Sequence, residues 1–583
     1  MRVLTGFLLA LLLSLQASAA PSPDIAWRSD PAAAFAEARK AGHPVFLYLE
    51  ARWCHWCHVM QDKTFRDPAV QQALARHYVA LKVDHDANPL LANRYRDYGW
   101  PALIFLAANG SEIVKRSGYI APADFLRLLQ AIERDPSPEA AAAVAIAAAT
   151  QPSLAPAARE RLLHRHEESY DAERGGLKTG QKFIDRDSLE YALAHADDAV
   201  ERTKAEQTLT AALALIDPVW GGVYQYSTGG DWGHPHYEKI MRSQAGVLRI
   251  YALAWARLQR PEDLRAAQAM RDYLLGFLRD PGGGFYVSQD ADLVPGQKAD
   301  SYFALDDAGR RALGLPRIDR NLYADATGQA AEALAALYEA SGDPASLEAA
   351  LAAADWLLRE RRRADGSFRH GPRDTGRYLN DTLAPARTFL ALYRDTGERR
   401  WLAQSRKASD AILRLFRSKD AGFLTATASG PLAPLPDLAE NITLARHFNL
   451  LEHYSGQRKY GEAAKHAMRF LASEAVVEAA FEEAGILLAD EELGEPPLHL
   501  VVVGGKQDAA ARALFDTALR TPGGYKRVEW WDRREGALPN PDVEYPKFPR
   551  AAGYVCSADR CSLPSFEVEK YRETIARLSK KRS

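Results

Sequence analysis

The chain has 583 residues, of which 47% are hydrophobic and 26% are charged, and its formal net charge at pH 7 is -2. This length exceeds what one hydrophobic core supports, so we expect about three domains. Because positive and negative side chains are nearly equal in number, there is no general electrostatic basis for binding nucleic acid or an anionic membrane. We expect neither as a partner.

The first residues have the pattern of an export signal. Arg2 precedes the apolar run VLTGFLLALLLSL, and the small residues Ala17 and Ala19 follow in QASAA. This order is typical of a secretory signal peptide that is cleaved after residue 19 or 20. The run is shorter than the roughly 20 residues that cross a bilayer. We therefore predict a periplasmic or secreted protein with no membrane span after cleavage of residues 1–20.

Residues 21–135 show the alternating periodicities of an α/β domain. The predicted order is helix, strand, helix, strand, helix, strand, strand, helix. The strand runs include PVFLYLEA, VALKVDHD and ALIFL, and Asn109-Gly110 predicts the hairpin turn between the last two strands. The Pro- and Ala-rich stretch 136–155 then predicts a linker or a helical spacer.

Residues 156–495 are helical in pattern almost throughout, with Gly-aromatic loops between pairs of helices. The loops read GGL, GGVYQY, GGGFY, GSFRH and GFLTAT, and they form an irregular internal repeat. Helical hairpins stacked side by side, with such loops at one rim, predict a closed α/α toroid. Residues 496–583 contain the strand runs LHLVVVGG and YKRVEWWD around a helix, which predicts a small α/β appendage.

The four cysteines form two close pairs, Cys54 with Cys57 and Cys556 with Cys561. In an oxidising compartment these spacings predict two local disulfides. The stretch RWCHWCHVM is open to three interpretations: a metal site, a structural disulfide or a redox-active pair. Neighbouring side chains on one helical turn cannot easily surround an ion, and a C-x-x-C bond closes too short a loop to stabilise much. We favour the redox-active pair and predict neither a metal nor another cofactor.

The position of the first pair supports redox chemistry. Cys54 follows a strand and stands at a helix N-terminus, where unpaired N–H groups favour a thiolate. His55 and His58 add positive charge nearby, and Cys57, one turn further on, is the expected resolving thiol. The second pair is expected to close a structural loop, and the alternative is a relay that exchanges disulfides with the first pair.

Several segments resemble one known family. WCHWCHVM, LKVDHDANP and YGWPALIFL are similar to the thioredoxin-like domain of the spermatogenesis-associated protein 20 family, and GQKF, GGVYQYSTGGDWGHPHYEKIM, GGGFYVSQDAD and GYVCSADRCSLP resemble its later segments. The resemblance implies a thioredoxin fold joined to a six-hairpin α/α toroid of the kind shared with glycosidases and sugar epimerases. It also implies a cis-proline at Pro101, after Trp100, beside the disulfide. A typical thioredoxin has a buried Asp where this chain has Tyr48, and Glu50, on the same side of the strand, is expected to substitute.

Acidic and aromatic residues gather at the glycine loops of the toroid. Paired carboxylates there could act as acid and base in glycosidic cleavage, and a histidine could abstract a proton in an epimerisation. The same side chains could equally cap helices or form ion pairs. The candidates for a central cavity are His236, Glu238, Asp290, Asp292 and Asp381.

The sequence thus predicts an exported thiol-disulfide oxidoreductase that uses Cys54 and Cys57 on protein thiols or disulfides. The toroid would bind a substrate or partner, including a carbohydrate ligand. The alternative is a carbohydrate-binding or carbohydrate-active toroid with a structural thioredoxin domain.

Overall fold

The computed structural model describes residues 24–95, 98–139, 146–427, 431–480, 484–557 and 560–579. The predicted signal peptide lies outside these residues, as does part of the predicted linker. The predicted fold class is confirmed, because an α/β domain is followed by a ring of helical hairpins and then by a small α/β unit.

Residues 24–139 form a sheet with helices on both faces. The elements are α1 (Pro31–Ala41), β1 (Val45–Glu50), α2 (His55–Val59) continued by a π-helical turn (Met60–Thr64), α3 (Pro68–His77), β2 (Val79–Asp84), α4 (Pro89–Tyr95), β3 (Ala102–Leu106), β4 (Glu112–Ser117) and α5 (Pro122–Arg134). The strand order is β2-β1-β3-β4, with β1 parallel to β2 and antiparallel to β3. Because side chains alternate along a strand, Leu47 and Leu49 join one core layer while Phe46 and Tyr48 join the other.

The central region is a toroid of helical hairpins. Its helices are α6 (Pro156–Ser169), α7 (Arg186–Ala194), α8 (Ala199–Ala212), α9 (Met241–Leu258), α10 (Pro261–Tyr273), α11 (Asp300–Phe303), α12 (Asp307–Leu313), α13 (Ala324–Ser341), α14 (Pro344–Glu360), α15 (Leu379–Thr396), α16 (Arg399–Leu415), α17 (Leu438–Ser455), α18 (Arg458–Leu471), α19 (Glu474–Ala479) and α20 (Ala484–Gly494). Within the described residues, α7, α9, α13, α15, α17 and α20 form a closed inner ring, since α20 packs on α7. The outer helices α8, α10, α14, α16, α18 and α6 pack against them. No helix in the described part is long and apolar enough to cross a membrane.

The glycine-aromatic loops lie at the rim where the inner helices begin. Gly222 has a φ of 75°, and a side chain there would collide with the ring of Tyr273. Phe285 and Phe423 from two such loops are fully buried between hairpins. The rim also carries the short strands β5 (Tyr226–Ser227), β6 (Pro235–His236), β7 (Lys239–Ile240), β8 (Tyr286–Gln289) and β9 (Ile318–Leu322).

The C-terminal unit has the same strand order as the N-terminal sheet. It contains β10 (Leu498–Val503), α21 (Ala509–Leu519), β11 (Lys526–Trp531), β12 (Ala552–Ser557), β13 (Arg560–Cys561) and α22 (Val568–Ser579). The order is β11-β10-β12-β13, with β10 parallel to β11 and antiparallel to β12. Helices α21 and α22 cover one face of this sheet.

The two α/β domains cap opposite ends of the toroid. Asn93 of the N-terminal domain donates a hydrogen bond of 3.1 Å to Glu440, in the first turn of α17. At the other end of α17, Tyr454 accepts a hydrogen bond of 2.9 Å from the backbone N–H of Val528. Helix α17 has 18 residues, which corresponds to a length of about 27 Å. The toroid therefore keeps the two α/β domains about one helix length apart.

Candidate functional site

The C-x-x-C segment lies between β1 and α2, and its two cysteines form a disulfide. Cys54 is the N-cap of α2, because its Sγ accepts a hydrogen bond of 3.1 Å from the N–H of Cys57. Cys54 is 3% exposed and Cys57 is fully buried. Cys54 lines a cavity, whereas Cys57 is not among the residues that line it.

An aromatic cluster surrounds the disulfide and includes a residue of the toroid. The peptide bond between Trp100 and Pro101 is cis. The ring of Trp100 meets that of Trp53 edge-on, with centroids 6.3 Å apart. The cluster consists of Ala51, Trp53, Cys54 and Cys57, with Trp56, Trp100 and the toroid's Ile240 packed against it.

Both histidines of the C-x-x-C segment bind one toroid carboxylate. The Nδ1 atoms of His55 and His58 lie 2.8 and 3.0 Å from the two carboxylate oxygens of Asp292. Burial disfavours the charged forms, but these hydrogen bonds outweigh it, so the pKa of Asp292 is lowered and that of His58 is raised. The N–H of Gly296 donates a further hydrogen bond of 2.7 Å to Asp292. Asp292 thus joins the two domains and is not among the residues that line the cavity.

Asp290 also lies at this junction, 3.7 Å from Nε2 of His58. Burial raises its pKa to about 6. It accepts hydrogen bonds from the N–H of Asp292 at 3.1 Å and from Arg317 at 3.3 Å. The expectation that Asp290 and Asp292 line the toroid cavity needs correction: tertiary packing turns both toward the C-x-x-C helix.

Glu50, the last residue of β1, has its own partners near the C-x-x-C segment. Burial raises its pKa, and Lys82, whose Nζ lies 3.1 Å from Oε1, partly offsets that effect. The amide of Gln61 donates a hydrogen bond to the other carboxylate oxygen. Tyr48, which stands where a thioredoxin has its buried Asp, donates a hydrogen bond of 3.1 Å to the carbonyl of Cys57.

One cavity of about 930 Å³ lies between the C-x-x-C face and the rim of the toroid. The N-terminal domain contributes Cys54 and aromatic rings, and the toroid contributes polar and aromatic groups. Tyr98, which is 41% exposed, marks a side open to solvent. Residues that line this shared cavity include Trp53, Cys54, Trp56, Trp100, Tyr226, Glu238, Arg242, Asp325 and His370.

Glu238 is the toroid candidate that does reach the shared cavity. Its side chain is 3% exposed, and no described residue forms a hydrogen bond with its Oε2. His236 lies 3.9 Å from that oxygen and stacks on Tyr226, with ring centroids 4.3 Å apart. His236 is not among the lining residues, so it packs beside the cavity wall.

Asp381 lies in the first turn of α15 and is 1% exposed, so it is not part of the cavity surface either. Its Oδ1 is 2.9 Å from Nδ1 of His370, which does line the cavity. Burial opposes protonation of the imidazole, but Asp381 raises the pKa of His370 to about 9. Nε2 of His370 meets the carbonyl of Asp86 at 2.7 Å, and Trp53 donates a hydrogen bond to the Asp86 carboxylate at 2.8 Å.

Sequence reasoning did not select His370, Asp86 or Asp325. His370 ends the loop segment GSFRH, which was recognised only as part of the repeat. The signal that could have found it is a histidine that directly follows a glycine-aromatic loop at the rim of a toroid.

A second group that sequence reasoning missed fills the middle of the toroid. Arg446 forms ion pairs of 2.7 Å with both Glu190 and Glu492, and Arg249 pairs with Glu190 at 2.6 Å. These charges adjoin a separate small cavity of about 110 Å³. Buried charges cost free energy unless they are paired, which these are.

The second cysteine pair is disulfide-bonded across β12 and β13. Cys556 is buried, and it lies in the domain that caps the far end of the toroid. A direct relay between the two pairs would have to cross about one inner-helix length. The geometry therefore favours the structural interpretation of Cys556 and Cys561.

Comparisons with known proteins found similarities to several parts of the chain. A family model named Thioredox_DsbH, described as a protein of unknown function (DUF255), matches residues 14–138. Human spermatogenesis-associated protein 20 is 26% identical over 302 residues, which make up 45% of this chain and 38% of that protein. Thiol:disulfide interchange protein DsbD 1 of Pseudomonas aeruginosa is 43% identical over 84 residues, 14% of each chain. Cellobiose 2-epimerase from Spirochaeta thermophila superposes with a TM-score of 0.45 at 14% identity, over 57% of this chain and 94% of that one.

The fold and the site define a class of protein: a thioredoxin-like domain with a C-x-x-C disulfide, docked on the rim of an α/α toroid. The resemblance to the spermatogenesis-associated protein 20 family is confirmed by the curated matches. The matched segment spans about two fifths of these relatives, 41% of the Caenorhabditis elegans protein and 38% of the human one.

Proposed function

We propose that the protein is an exported thiol-disulfide oxidoreductase whose Cys54-Cys57 pair acts on a small thiol or disulfide held in the shared cavity. The observation that carries this proposal is that Cys54 forms part of the cavity wall while the toroid covers the surface around the disulfide. We therefore propose a small thiol or disulfide as the substrate in place of the protein thiols or disulfides that the sequence suggested.

The reaction is a two-electron exchange. In the reduced protein the Cys54 thiolate attacks one sulfur of a disulfide RSSR, so a mixed disulfide forms and the first thiol RSH leaves after taking up a proton. The Cys57 thiolate then attacks Sγ of Cys54, the bond to the substrate breaks, and the second RSH leaves. The protein is oxidised and the substrate is reduced; the reverse sequence oxidises two thiols.

The contacts around the loop explain why a small substrate fits better than a protein. The N–H of Ala291 donates a hydrogen bond of 3.4 Å to the carbonyl of Trp53, and Arg317 donates one to the carbonyl of Arg52. These toroid contacts cover the backbone just before Cys54 and so restrict the approach of a large substrate from that side. A cavity of about 930 Å³ falls within the roughly 300–1,000 Å³ of small-molecule sites.

The first test is the reduction potential of the Cys54-Cys57 pair. The purified mature protein with Cys556→Ser and Cys561→Ser is equilibrated in glutathione buffers, and free thiols are trapped and counted. A reversible midpoint between about -120 and -270 mV is expected for an exchanger. A pair that stays oxidised below about -300 mV would sink the redox proposal and leave a structural disulfide.

The size of the substrate is tested with two disulfides. Glutathione disulfide should oxidise the reduced protein much faster than a disulfide-bonded protein such as insulin does. Asp292→Asn weakens the docking of the two histidines and should raise the insulin rate, because it opens the covered face. Asp231→Asn, the same change at a half-buried residue outside this junction, serves as the control. If insulin reacts as fast as glutathione disulfide with the unaltered protein, the small-substrate proposal is wrong.

A carbohydrate ligand is a second candidate, favoured by one observation. Glu238 lines the shared cavity, and its buried Oε2 atom has no hydrogen-bond partner among the described residues. A hydroxyl-rich ligand would satisfy that oxygen while aromatic rings such as Tyr226 stack on its faces. Thermal-shift screening of mono- and disaccharides should find a stabilising ligand whose effect Glu238→Gln removes and Cys54→Ser leaves intact.

Export remains part of the proposal and is supported by the pattern of residues 1–20. N-terminal sequencing of the protein recovered from its native host should begin at residue 20 or 21. A protein that retains its first residues in a cytoplasmic fraction would contradict export.

A further inference from the structure

We propose that Asp325, His370 and Asp381 bind a divalent transition-metal ion on the toroid wall of the shared cavity. Each offers one ligand atom, and these atoms all lie within 4.8 Å of one another. Nδ1 of His370 is 2.9 Å from Asp381 Oδ1 and 3.8 Å from Asp325 Oδ1. An ion with bonds of about 2.1 Å separates neighbouring ligands by about 3.0 to 3.4 Å, so small side-chain movements suffice.

An independent observation points to a ligand at this cluster. Asp381 is 1% exposed, and no described residue forms a hydrogen bond with its Oδ2. A buried carboxylate oxygen without a partner costs free energy, and such atoms are rare in folded proteins. A cation at the cluster supplies the missing partner.

The imidazole is held in the orientation that a metal ligand needs. Nε2 of His370 meets the backbone carbonyl of Asp86 at 2.7 Å, and the ring stacks on Tyr323 with centroids 3.9 Å apart. These contacts direct Nδ1 toward the two carboxylates. A second ring nitrogen bonded to a backbone carbonyl is the usual support of a metal-binding histidine. Because Asp86 belongs to the thioredoxin-like domain, domain docking completes the site.

A second cluster also combines one histidine with two aspartates, but its carboxylate oxygens already have partners. His58, Asp290 and Asp292 also bring their ligand atoms within 4.8 Å of one another. There both oxygens of Asp292 are bonded to histidines, and Asp290 accepts hydrogen bonds from the backbone and Arg317. No oxygen of those two carboxylates is among the buried atoms without a partner in the described residues.

The donor set indicates the class of ion. Magnesium and calcium prefer oxygen ligands alone, whereas one imidazole with two carboxylates suits zinc, manganese or iron as divalent ions. Asp325, His370 and Asn380 line the shared cavity. The remaining coordination positions of the ion would therefore face the space in which a polar ligand lies.

The test uses the full mature protein without a histidine tag, stripped with a chelator and with both disulfides oxidised. Zinc and manganese chlorides are titrated by calorimetry at pH 7, and bound metal is counted by mass spectrometry after dialysis. We expect one equivalent per chain. Asp381→Asn and His370→Gln should weaken binding by roughly tenfold or more, while Asp290→Asn, the matched change in the other cluster, should leave it unchanged.

Cobalt absorption spectra of the unaltered protein keep the test decisive if a variant does not fold. Visible bands of a nitrogen- and oxygen-ligated ion, without a thiolate-to-cobalt band, support the site. The proposal is overturned if the folded, unaltered protein binds no metal or if a thiolate band appears. It is also overturned if Asp381→Asn and His370→Gln bind as tightly as the unaltered protein.

Discussion

The two α/β domains share one sheet topology and differ at the helix that follows the first strand. In both, the first strand is parallel to the second and antiparallel to the third. That helix is capped by Cys54 in the N-terminal domain and by Asp508 in the C-terminal domain. The third strand follows a cis-proline, Pro101, in one domain and Ala551 in the other. The two domains thus share a scaffold and differ in a few residues at one helix terminus, where the proposed redox pair lies.

The domains also differ in how they meet the toroid. The N-terminal domain encloses a cavity of about 930 Å³ at its interface. The C-terminal domain docks through buried charges instead, with Glu339 bonded to both Lys526, at 2.8 Å, and Arg394, at 2.7 Å. The first interface leaves room for a small-molecule ligand, whereas the second encloses a cavity of only about 110 Å³ beside its ion-paired side chains.

The largest difference between the two α/β domains is expected when the cysteines of each disulfide are replaced in turn. Cys54→Ser removes the sulfur that attacks in the proposed reaction, so exchange with glutathione disulfide should fall to the uncatalysed background. Cys556→Ser with Cys561→Ser should leave that rate unchanged and lower the free energy of unfolding by about 2 kcal/mol, because the bond closes a short loop. Stopped-flow fluorescence and urea titration measure the two effects. A loss of exchange in the second variant would reverse the assignment of roles.

Removing Glu339 should test the interface of the C-terminal domain. Glu339→Ala leaves Lys526 and Arg394 buried without their shared carboxylate, and we expect a loss of about 3–5 kcal/mol in the free energy of unfolding. Glu37→Ala breaks the exposed pair with Arg28 and should cost at most about 1 kcal/mol. Equal losses in urea titrations of the two variants would contradict a buried ionic interface.

The pH dependence of stability should have opposite signs at two histidines. Burial disfavours the charged form of His58, but the hydrogen bond that its imidazole donates to Asp292 outweighs burial and raises its pKa, whereas burial and then Arg527 lower the pKa of His499. His58 therefore adds to the free energy of unfolding below about pH 6.5. This stabilisation is lost as pH rises through the pKa of His58 in the folded protein. His499 adds to the free energy of unfolding above about pH 6.5. This stabilisation is lost as pH falls toward the pKa of His499 in the folded protein.

Unfolding titrations between pH 5 and pH 9 measure these slopes. His58→Gln should reduce the alkaline loss of stability, and His499→Gln should reduce the acid loss. If each variant keeps the slope of the unaltered protein, these histidines do not govern the pH response.

The smallest effect is expected at Asp508, the N-cap of α21. Asp508 accepts a hydrogen bond of 2.9 Å from the N–H of Ala510. Asp508→Ala should lower the free energy of unfolding by about 1 kcal/mol, and Asp508→Asn, which keeps the cap, should have a much smaller effect. Hydrogen exchange in α21 locates the change. An asparagine variant as unstable as the alanine variant would show that capping is not the cause.

Patterns among neighbouring residues predicted much of the fold. The run PVFLYLEA predicted a strand, and it contains β1; the loop GGVYQY was predicted to lie between helix pairs at one rim of the toroid, and it lies at the rim. These features depend on residues a few positions apart, which periodicity and turn chemistry report directly. The candidate site depends on longer separations: His55 and Asp292 are 237 residues apart and share a hydrogen bond. No local pattern records such a pairing.

By itself the sequence determined the order of elements, the closeness of each cysteine pair and the helical hairpins, because each follows from contacts between near neighbours in the chain. Only the tertiary structure decided that Cys54 and Glu238 line one cavity, that Asp292 binds the two histidines of the C-x-x-C segment, and that Asp325, His370 and Asp381 converge. Those groups meet because closing the ring brings the starts of the inner helices to one rim, where the thioredoxin-like domain covers them.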